Sequence, residues 1–245
     1  MKIAILTTQT PHHAYFVREV ASRFPVARAY CQTSVLRPPF DTGHPFEVAR
    51  DDYERQVWFG GADHRVADLV PTDAVETMND AAAVGSMTAL APDVVLVFGT
   101  GLLKSAVLAV QPHLMLNLHG GDPEEYRGLD THLWAIYHRD FGGLVTTLHR
   151  MTPTLDEGDV VLRDAVPLHH GMGIHQLRRA NTEVCVRLAL AALSTIQRDG
   201  NVTSRPQQRA GRYYSFMPTS LKELCRKRFA AYTARLSALG AQIPA

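Results

Sequence analysis

Short, almost unbroken apolar runs alternate with amphipathic stretches along the first two thirds of the chain. Lys2 to Thr7 is mostly apolar with little alternation, the pattern of a strand buried on both faces. An amphipathic stretch from about His13 to Arg23 predicts a helix, and Pro25 to Tyr30 a second strand, giving a β-α-β opening. Residues 32 to 45 hold three prolines and few periodic apolar positions, which predicts a loop. Asp51 to Phe59 reads as helical. Asp80 to Leu90 reads as a helix with Asn79 or Thr77 placed to cap it. Asp93 to Phe98 is a nearly continuous apolar run and predicts a central strand. A short helix, Lys104 to Val110, and a buried strand, Leu114 to Leu118, follow.

Downstream, Thr131 to Arg139 predicts a helix, Leu144 to Arg150 a strand and Asp159 to Pro167 an extended segment. Ile174 to Gln197 predicts a long helix with Leu177, Ala180, Val184, Leu188 and Ala191 on one stripe, ended by Gly200 in a left-handed cap. The run "RYYSF" at 212 to 216 suits a short strand, and Ser220 with Glu223 matches a capping box opening a last helix. This alternation predicts an α/β fold: an open, mostly parallel, Rossmann-like sheet with helices on both faces, plus a short C-terminal helical extension. Residues 1–200 are expected to form the main domain and 201–245 an extension packing on it. In such sheets ligands bind beyond the carboxyl ends of the strands. Asn117, His119 and the "GTG" after Phe98 stand at such ends.

Composition changes this picture little. With 245 residues, 46% apolar and 20% charged, the chain has the make-up of an ordinary globular protein. The net charge of +1 gives no overall drive towards nucleic acid or membrane. The average hides an asymmetry. From residue 201 onward eight basic residues face one acidic one, Glu223, so the tail carries about +7 and the rest about −6. That tail is expected either to lie over a phosphate-bearing ligand or to be the solvated face of the last helix. Cys31, Cys185 and Cys225 are too few and too far apart for a disulfide framework or a zinc site, so reduced thiols and a cytoplasmic location are expected, with no metal. The start "MKIAILTT" reads as a strand rather than a signal peptide, and no run approaches the ~20 apolar residues of a membrane span.

The candidate chemistry begins in "MLNLHGGD". Asn117 and His119 are two apart on a strand, so amide and imidazole project from one face. A carboxylate returning to that place would complete an acid/base site, and Asp156 in "TLDEGD" is available. Taken alone, the same residues also read as a turn asparagine, a solvated histidine and a surface aspartate.

The stretch from Asn117 to Val161 resembles the catalytic half of the folate-dependent formyltransferases. It supplies Asn117, His119, Tyr126, Gly128, Thr131, His132, Gly143, His149, Leu155, Asp156 and Gly158 in the family's order. The run "PDVVLVFGTGLLKSAVL" resembles the family's folate-binding strand and loop. The resemblance covers roughly residues 91 to 168 and implies the formyltransferase fold, 10-formyltetrahydrofolate as formyl donor and a primary amine as acceptor. It implies Asn117 as the amide donor to the formyl oxygen, His119 as the imidazole that stabilises the oxyanion and helps move the proton, and Asp156 as its orienting acid. Phe98, Gly99, Thr100, Gly101, Leu102 and Leu103 would hold the pterin on one side, with Thr152 and Leu155 in the loop closing the other. Tyr126, Arg127 and His132 match positions near the acceptor, and His149 a supporting one.

Departures from the family bear on the acceptor. After the first strand stands "TTQTPHHAYF", with no glycine to bring backbone amides onto a phosphate. That counts against glycinamide ribonucleotide. Thr10, His12 and His13 stand there instead as candidate acceptor contacts. Asp122, Glu124 and Glu125 follow His119 in "GGDPEEY", either attracting a cationic amine or forming a solvated turn. "YRGLDTHLWAIY" is most similar to members acting on amino sugars, so the expected acceptor is a small amine such as an amino sugar, free or nucleotide-linked. No nucleic-acid partner is expected: base-stacking aromatics are missing, and the ~40 residues after the long helix are too few for the barrel domain that accompanies initiator-tRNA formylation. The last helix is a candidate homodimer face. Two other readings stay open: a formyltetrahydrofolate hydrolase using water as acceptor, and a folate- or nucleotide-binding module without catalysis.

Overall fold

The computed structural model describes residues 1–237; the end of the expected extension, 238–245, lies outside the described residues. In chain order the elements are β1 (Ile3–Thr8), α1 (Pro11–Ala21), β2 (Val26–Gln32), α2 (Pro45–Phe59), β3 (Thr72–Val75), α3 (Ala81–Leu90), β4 (Val94–Val97), α4 (Ser105–Leu108), β5 (Met115–His119), β6 (Tyr126–Gly128), α5 (Thr131–His138), β7 (Val145–Arg150), β8 (Val160–Ala165), α6 (Leu177–Asp199), β9 (Arg212–Tyr214) and α7 (Thr219–Thr233). Seven strands form one sheet in the order β3-β2-β1-β4-β5-β7-β8. The strands from β3 to β5 are parallel, while β7 and β8 run antiparallel. The expected open, mostly parallel sheet is therefore the observed one.

Burial on both faces explains the continuous apolar runs. Ile3 and Ile5 of β1 pack under α1 and α6 with Phe16, Val17, Val184 and Leu193. Ala4 and Leu6 point the other way, against Met87 of α3 and Val107 of α4. Strand periodicity thus feeds two cores at once, and each fully buried aliphatic side chain contributes roughly 1.5–3 kcal/mol. A third cluster joins α2, α5 and α7 through Phe46, Ile136, Cys225 and Phe229.

Several local expectations need correction. β3 is a short, half-exposed edge strand whose "TDAV" carries no alternating signal, and the sequence pattern missed it. α2 begins at Pro45 rather than Asp51, capped by the His44 side chain on the Phe46 amide and by Glu47 on the His44 amide. Neither Asn79 nor Thr77 is the N-cap of α3; Asp80 is, and its carboxylate accepts from the Thr77 amide. Asn79 instead reaches across to the loop after β4, donating to Leu102 O at 2.8 Å and accepting from the Lys104 amide at 2.7 Å. Ala191 faces solvent, the buried stripe passing through Ala189 and Ala192. The box of Ser220 and Glu223 does not form: Pro218 is the N-cap of α7, and Glu223 pairs with His44 and Arg226. Gly200 does close α6 in the left-handed conformation, at φ 75°.

The described part of the extension is sewn to the main body. Lys222 on α7, only 3% exposed, donates to Thr42 O at 2.7 Å and Glu47 at 3.0 Å, with Asp130 at 3.9 Å. Lys222→Met keeps the apolar stem but strips these acceptors of their cation. Its expected cost is about 3 kcal/mol of unfolding free energy, read by urea denaturation.

Candidate active site

The site forms where the sheet changes direction. Met115, Asn117 and His119 alternate to one face of β5, while Leu116 and Leu118 enter the core beneath α1 and α6. β7 lies antiparallel to β5 with His149 directly opposite Asn117. Cross-strand partners share a face, and Asn117 Nδ2 donates to His149 Nε2 at 3.1 Å. After β7 the chain loops back and brings in Asp156. Its carboxylate enters between the two imidazoles, Oδ2 at 3.6 Å from His119 Nδ1 and Oδ1 at 3.4 Å from His149 Nε2. The Gly128 amide of β6 donates to Oδ2 at 2.9 Å.

All three of these ring and acid groups are buried. Burial would push the Asp156 carboxyl up. His119, His149 and the Gly128 amide overcome that effect and hold it well below the usual carboxylate range. The hydrogen bonds also place protons. His119 Nε2 donates to Tyr126 O at 2.8 Å, which leaves Nδ1 facing the carboxylate. His149 Nδ1 donates to Arg150 O at 2.8 Å, so its Nε2 accepts from Asn117 when neutral and donates to Asp156 when protonated. The Asn117 amide keeps a second N–H for a ligand.

The Asp156 turn tolerates little change. Asp156 lies at φ 54°, a left-handed conformation that costs most residues about 1 kcal/mol and aspartate less. Gly158 backs onto the Arg150 carbonyl so closely that any Cβ would overlap it.

A cavity of about 280 Å³ opens at the Met115 end of the Asn117 row, between Ser105 and Leu108 of α4 and Met151 and Pro153 after β7. This is near the small end of ligand pockets, roughly 300 Å³ and upward. Its lining is mostly apolar, with Ser105 and Gln111 as the polar side chains. Leu102 and Leu155 are among the few large apolar side chains left exposed. Gly99, at φ 81°, packs against the His13 ring, and a Cβ there would collide with it. Met115, Met151, Pro153 and Leu108 were not assigned from the sequence, though Met115 stands two before Asn117 and shares its face. A larger hollow, about 400 Å³, lies along the sheet edge between β8 and residues 203–205, and neither hollow is lined by Asn117, His119, His149 or Asp156.

The acceptor-side candidates separate into two sets. Thr10, His12 and His13 gather at the start of α1, beside Phe98 at the end of β4. Thr10 Oγ1 is 2.7 Å from His12 Nδ1 and 2.8 Å from His13 Nδ1, and Phe98 lies edge-on to both rings. Burial first, and then the charge of Arg178, lowers both imidazoles, His13 to about 3. The other set is tied into the fold. Tyr126 OH donates to Asp140 at 3.0 Å, Arg127 binds Gly211 O and Glu157, and His132 Nε2 donates to Val145 O at 2.7 Å. Burial lowers His132 to about 4.

The acidic turn and the basic tail answer each other. Arg205 grips Glu124 with both terminal nitrogens, at 2.7 and 3.1 Å, and Arg163 and Arg209 pair with Asp122 and Glu125. Glu124 is buried, and these contacts hold it at about 2, the Arg205 hydrogen bond being the largest cause. The acidic turn is thus paired with Arg163, Arg205 and Arg209, while Arg226 and Lys227 of α7 stay exposed beside Glu223 of their own helix, as the solvated-face reading expects. Among the described residues no three His, Cys, Asp or Glu side chains are grouped to hold a metal ion, and no helix is long and apolar enough to cross a membrane.

His13 and His132 carry folded-state values below the ordinary ~6.5, so below that pH the unfolded chain binds protons that the folded chain refuses. Stability is full above pH ~6.5 and falls on acidification towards pH ~4, by about 1.4 kcal/mol per pH unit for each histidine. Urea unfolding measured from pH 7.5 to 4.5 checks this, and His132→Gln should reduce the slope by one proton.

With this geometry in place, likeness to known proteins is informative. A sequence model of the family described as Formyl transferase matches residues 62–193, more than half of the chain. The methionyl-tRNA formyltransferase of Anaeromyxobacter dehalogenans (strain 2CP-C) is 32% identical over 133 residues, 53% of this chain and 38% of that protein. The chain thus matches well under half the length of that relative. Among solved structures, Rv3404c of Mycobacterium tuberculosis superposes with a TM-score of 0.62 at 16% identity, over 93% of this chain and 87% of the other. The formyltransferase PseJ of Anoxybacillus kamchatkensis, in complex with UDP-4,6-dideoxy-4-formamido-L-AltNAc and tetrahydrofolate, gives 0.53 at 15% identity, over 88% and 86% of the two chains. At these identities the superpositions establish a shared fold, and the sequence match supplies the rest: the chain belongs to the formyl transferase family.

Proposed function

We propose that the protein moves a formyl group from 10-formyltetrahydrofolate to a primary amine of a small molecule. The observation that carries this is the Asp156 carboxylate held between His119 and His149, with Asn117 beside it. Bound beside these groups, the folate would supply a formyl carbon activated on nitrogen. Residues 98–103 would border its pterin on one side, Thr152 and Leu155 on the other, and Met115 would floor it.

The residues then divide the work. The free N–H of Asn117 donates to the formyl oxygen as negative charge develops there. His119 takes the proton that the attacking amine must lose, at Nδ1, where Asp156 stabilises the resulting imidazolium, and would return it to the folate nitrogen as the bond from that nitrogen to the formyl carbon breaks and tetrahydrofolate leaves. His149 orients the Asn117 amide and shares the same carboxylate. A single buried negative charge thus serves two imidazoles.

The acceptor would approach from the start of α1, past Thr10, His12 and His13. These histidines are held neutral by burial with Arg178 nearby. Neutral imidazoles at that wall suit the neutral amine that attacks. An amino sugar, free or nucleotide-linked, is the acceptor class we favour; the nucleotide-linked formamido sugar bound to PseJ supports that choice.

Incubation with 10-formyltetrahydrofolate and a panel of amines, followed by absorbance of released tetrahydrofolate, tests the reading. Release should require an amine, amino sugars foremost. His119→Ala, Asn117→Ala and Asp156→Asn should each lower kcat by about 100-fold or more. His119→Ala should bind folate within about threefold of the parent protein. Release with water alone would make the protein a hydrolase, and an undiminished His119→Ala rate would sink the assignment of the site.

A further inference from the structure

Beyond α6 the chain returns across the site as a strap. Arg205 and Val160 exchange two backbone hydrogen bonds, at 2.8 and 2.9 Å, and β9 pairs in parallel with β6. Between these attachments stands Gln207. Its Nε2 donates to Asp156 O and to Gly158 O, each at 2.8 Å. Those carbonyls bracket Glu157, so one nitrogen uses both of its protons to close the turn that carries the Asp156 carboxylate.

That turn needs holding. Asp156 occupies a left-handed conformation that a non-glycine residue leaves readily. Its carboxylate touches the imidazoles only at 3.6 and 3.4 Å, longer than good hydrogen bonds, and the Gly128 amide at 2.9 Å is its one short contact. Gly158 packs on the Arg150 carbonyl and limits where the turn can sit, without fixing the orientation of the Asp156 peptide. The Gln207 Oε1 is buried with no partner, so the side chain serves here as a donor alone.

We propose that Gln207 is a positioning residue for the reaction: its amide clamps the Asp156 turn in the left-handed conformation that delivers the carboxylate between His119 and His149. It acts from the far side of the turn, on main-chain oxygens, so its effect passes through Asp156. The inference deepens the proposed function and rests on Asp156 belonging to the reacting site.

Two variants test it. Gln207→Ala removes the clamp. Gln207→Glu keeps its shape but sets an anionic oxygen against two carbonyls. The first readout needs no ligand: the carboxyl carbon of Asp156 is followed by NMR in protein labelled at aspartate, the signal being assigned by its loss in Asp156→Asn. In the parent protein Asp156 should stay ionised over the whole pH range in which the protein remains folded. In both variants it should take up its proton at a higher pH than in the parent, within the range in which the protein remains folded. The second readout is turnover. Each variant should lose about 10- to 100-fold in kcat while KM for donor and acceptor changes less than about threefold. Combined with Asp156→Asn, Gln207→Ala should add no further loss, since the two act through one carboxylate. An unchanged Asp156 titration, or losses that multiply in the double variant, overturns the proposal. Should no amine accept a formyl group, the proposed reaction fails, and the titration alone still decides whether Gln207 sets the state of Asp156.

Discussion

A carboxylate kept ionised inside the protein is the constraint around which the site is arranged. Desolvation works against the Asp156 charge, and three groups from three elements offset it: His119 from β5, His149 from β7 and the Gly128 amide from β6. Each must arrive at one point. The antiparallel pairing that sets His149 opposite Asn117 therefore has a chemical consequence as well as a structural one. Had β7 continued the parallel order, the facing imidazole would not meet the amide, and the acid would enter a half-filled cage.

The same economy governs the charges outside the site. The tail's excess of arginine and lysine and the body's excess of acid form one distribution folded onto itself. Arg205 and Arg209 neutralise the turn that follows His119, and Lys222 neutralises the start of α2 and the loop before α5. These contacts join sequence-distant segments on either side of the reacting groups. Opposite charges of tail and body are thus partly paired over long range.

The sequence was legible wherever one physical signal dominated. Burial on both faces wrote β1, β4 and β5 as apolar runs, and the left-handed cap at Gly200 was readable because glycine alone adopts it without strain. The row of Asn117 and His119 followed from strand parity, and Asp156 from the family motif. What stayed hidden depended on partners far along the chain. β3 exists because β2 offers it an edge, Glu223 leaves its expected cap for His44, and Asn79 leaves α3 for the loop at Leu102. Gln207 bears no local mark at all; only the approach of the strap to the Asp156 turn gives it a role. Arg127 and His132 were candidate acceptor contacts, yet their side chains spend hydrogen bonds on the scaffold.

The strap also sets an order of events during synthesis. A ribosome that has released the chain only through α6 has already delivered every strand of the main sheet, together with Asn117, His119 and Asp156. The clamp on the aspartate turn and the partner of β6 are still inside the exit tunnel or not yet translated. A nascent polypeptide at that stage owns its reactive side chains without the fastening that aligns them. The segment around residues 205–214 follows α6 in the chain, so under the proposed role of Gln207 the fastening is added only after the groups it would align.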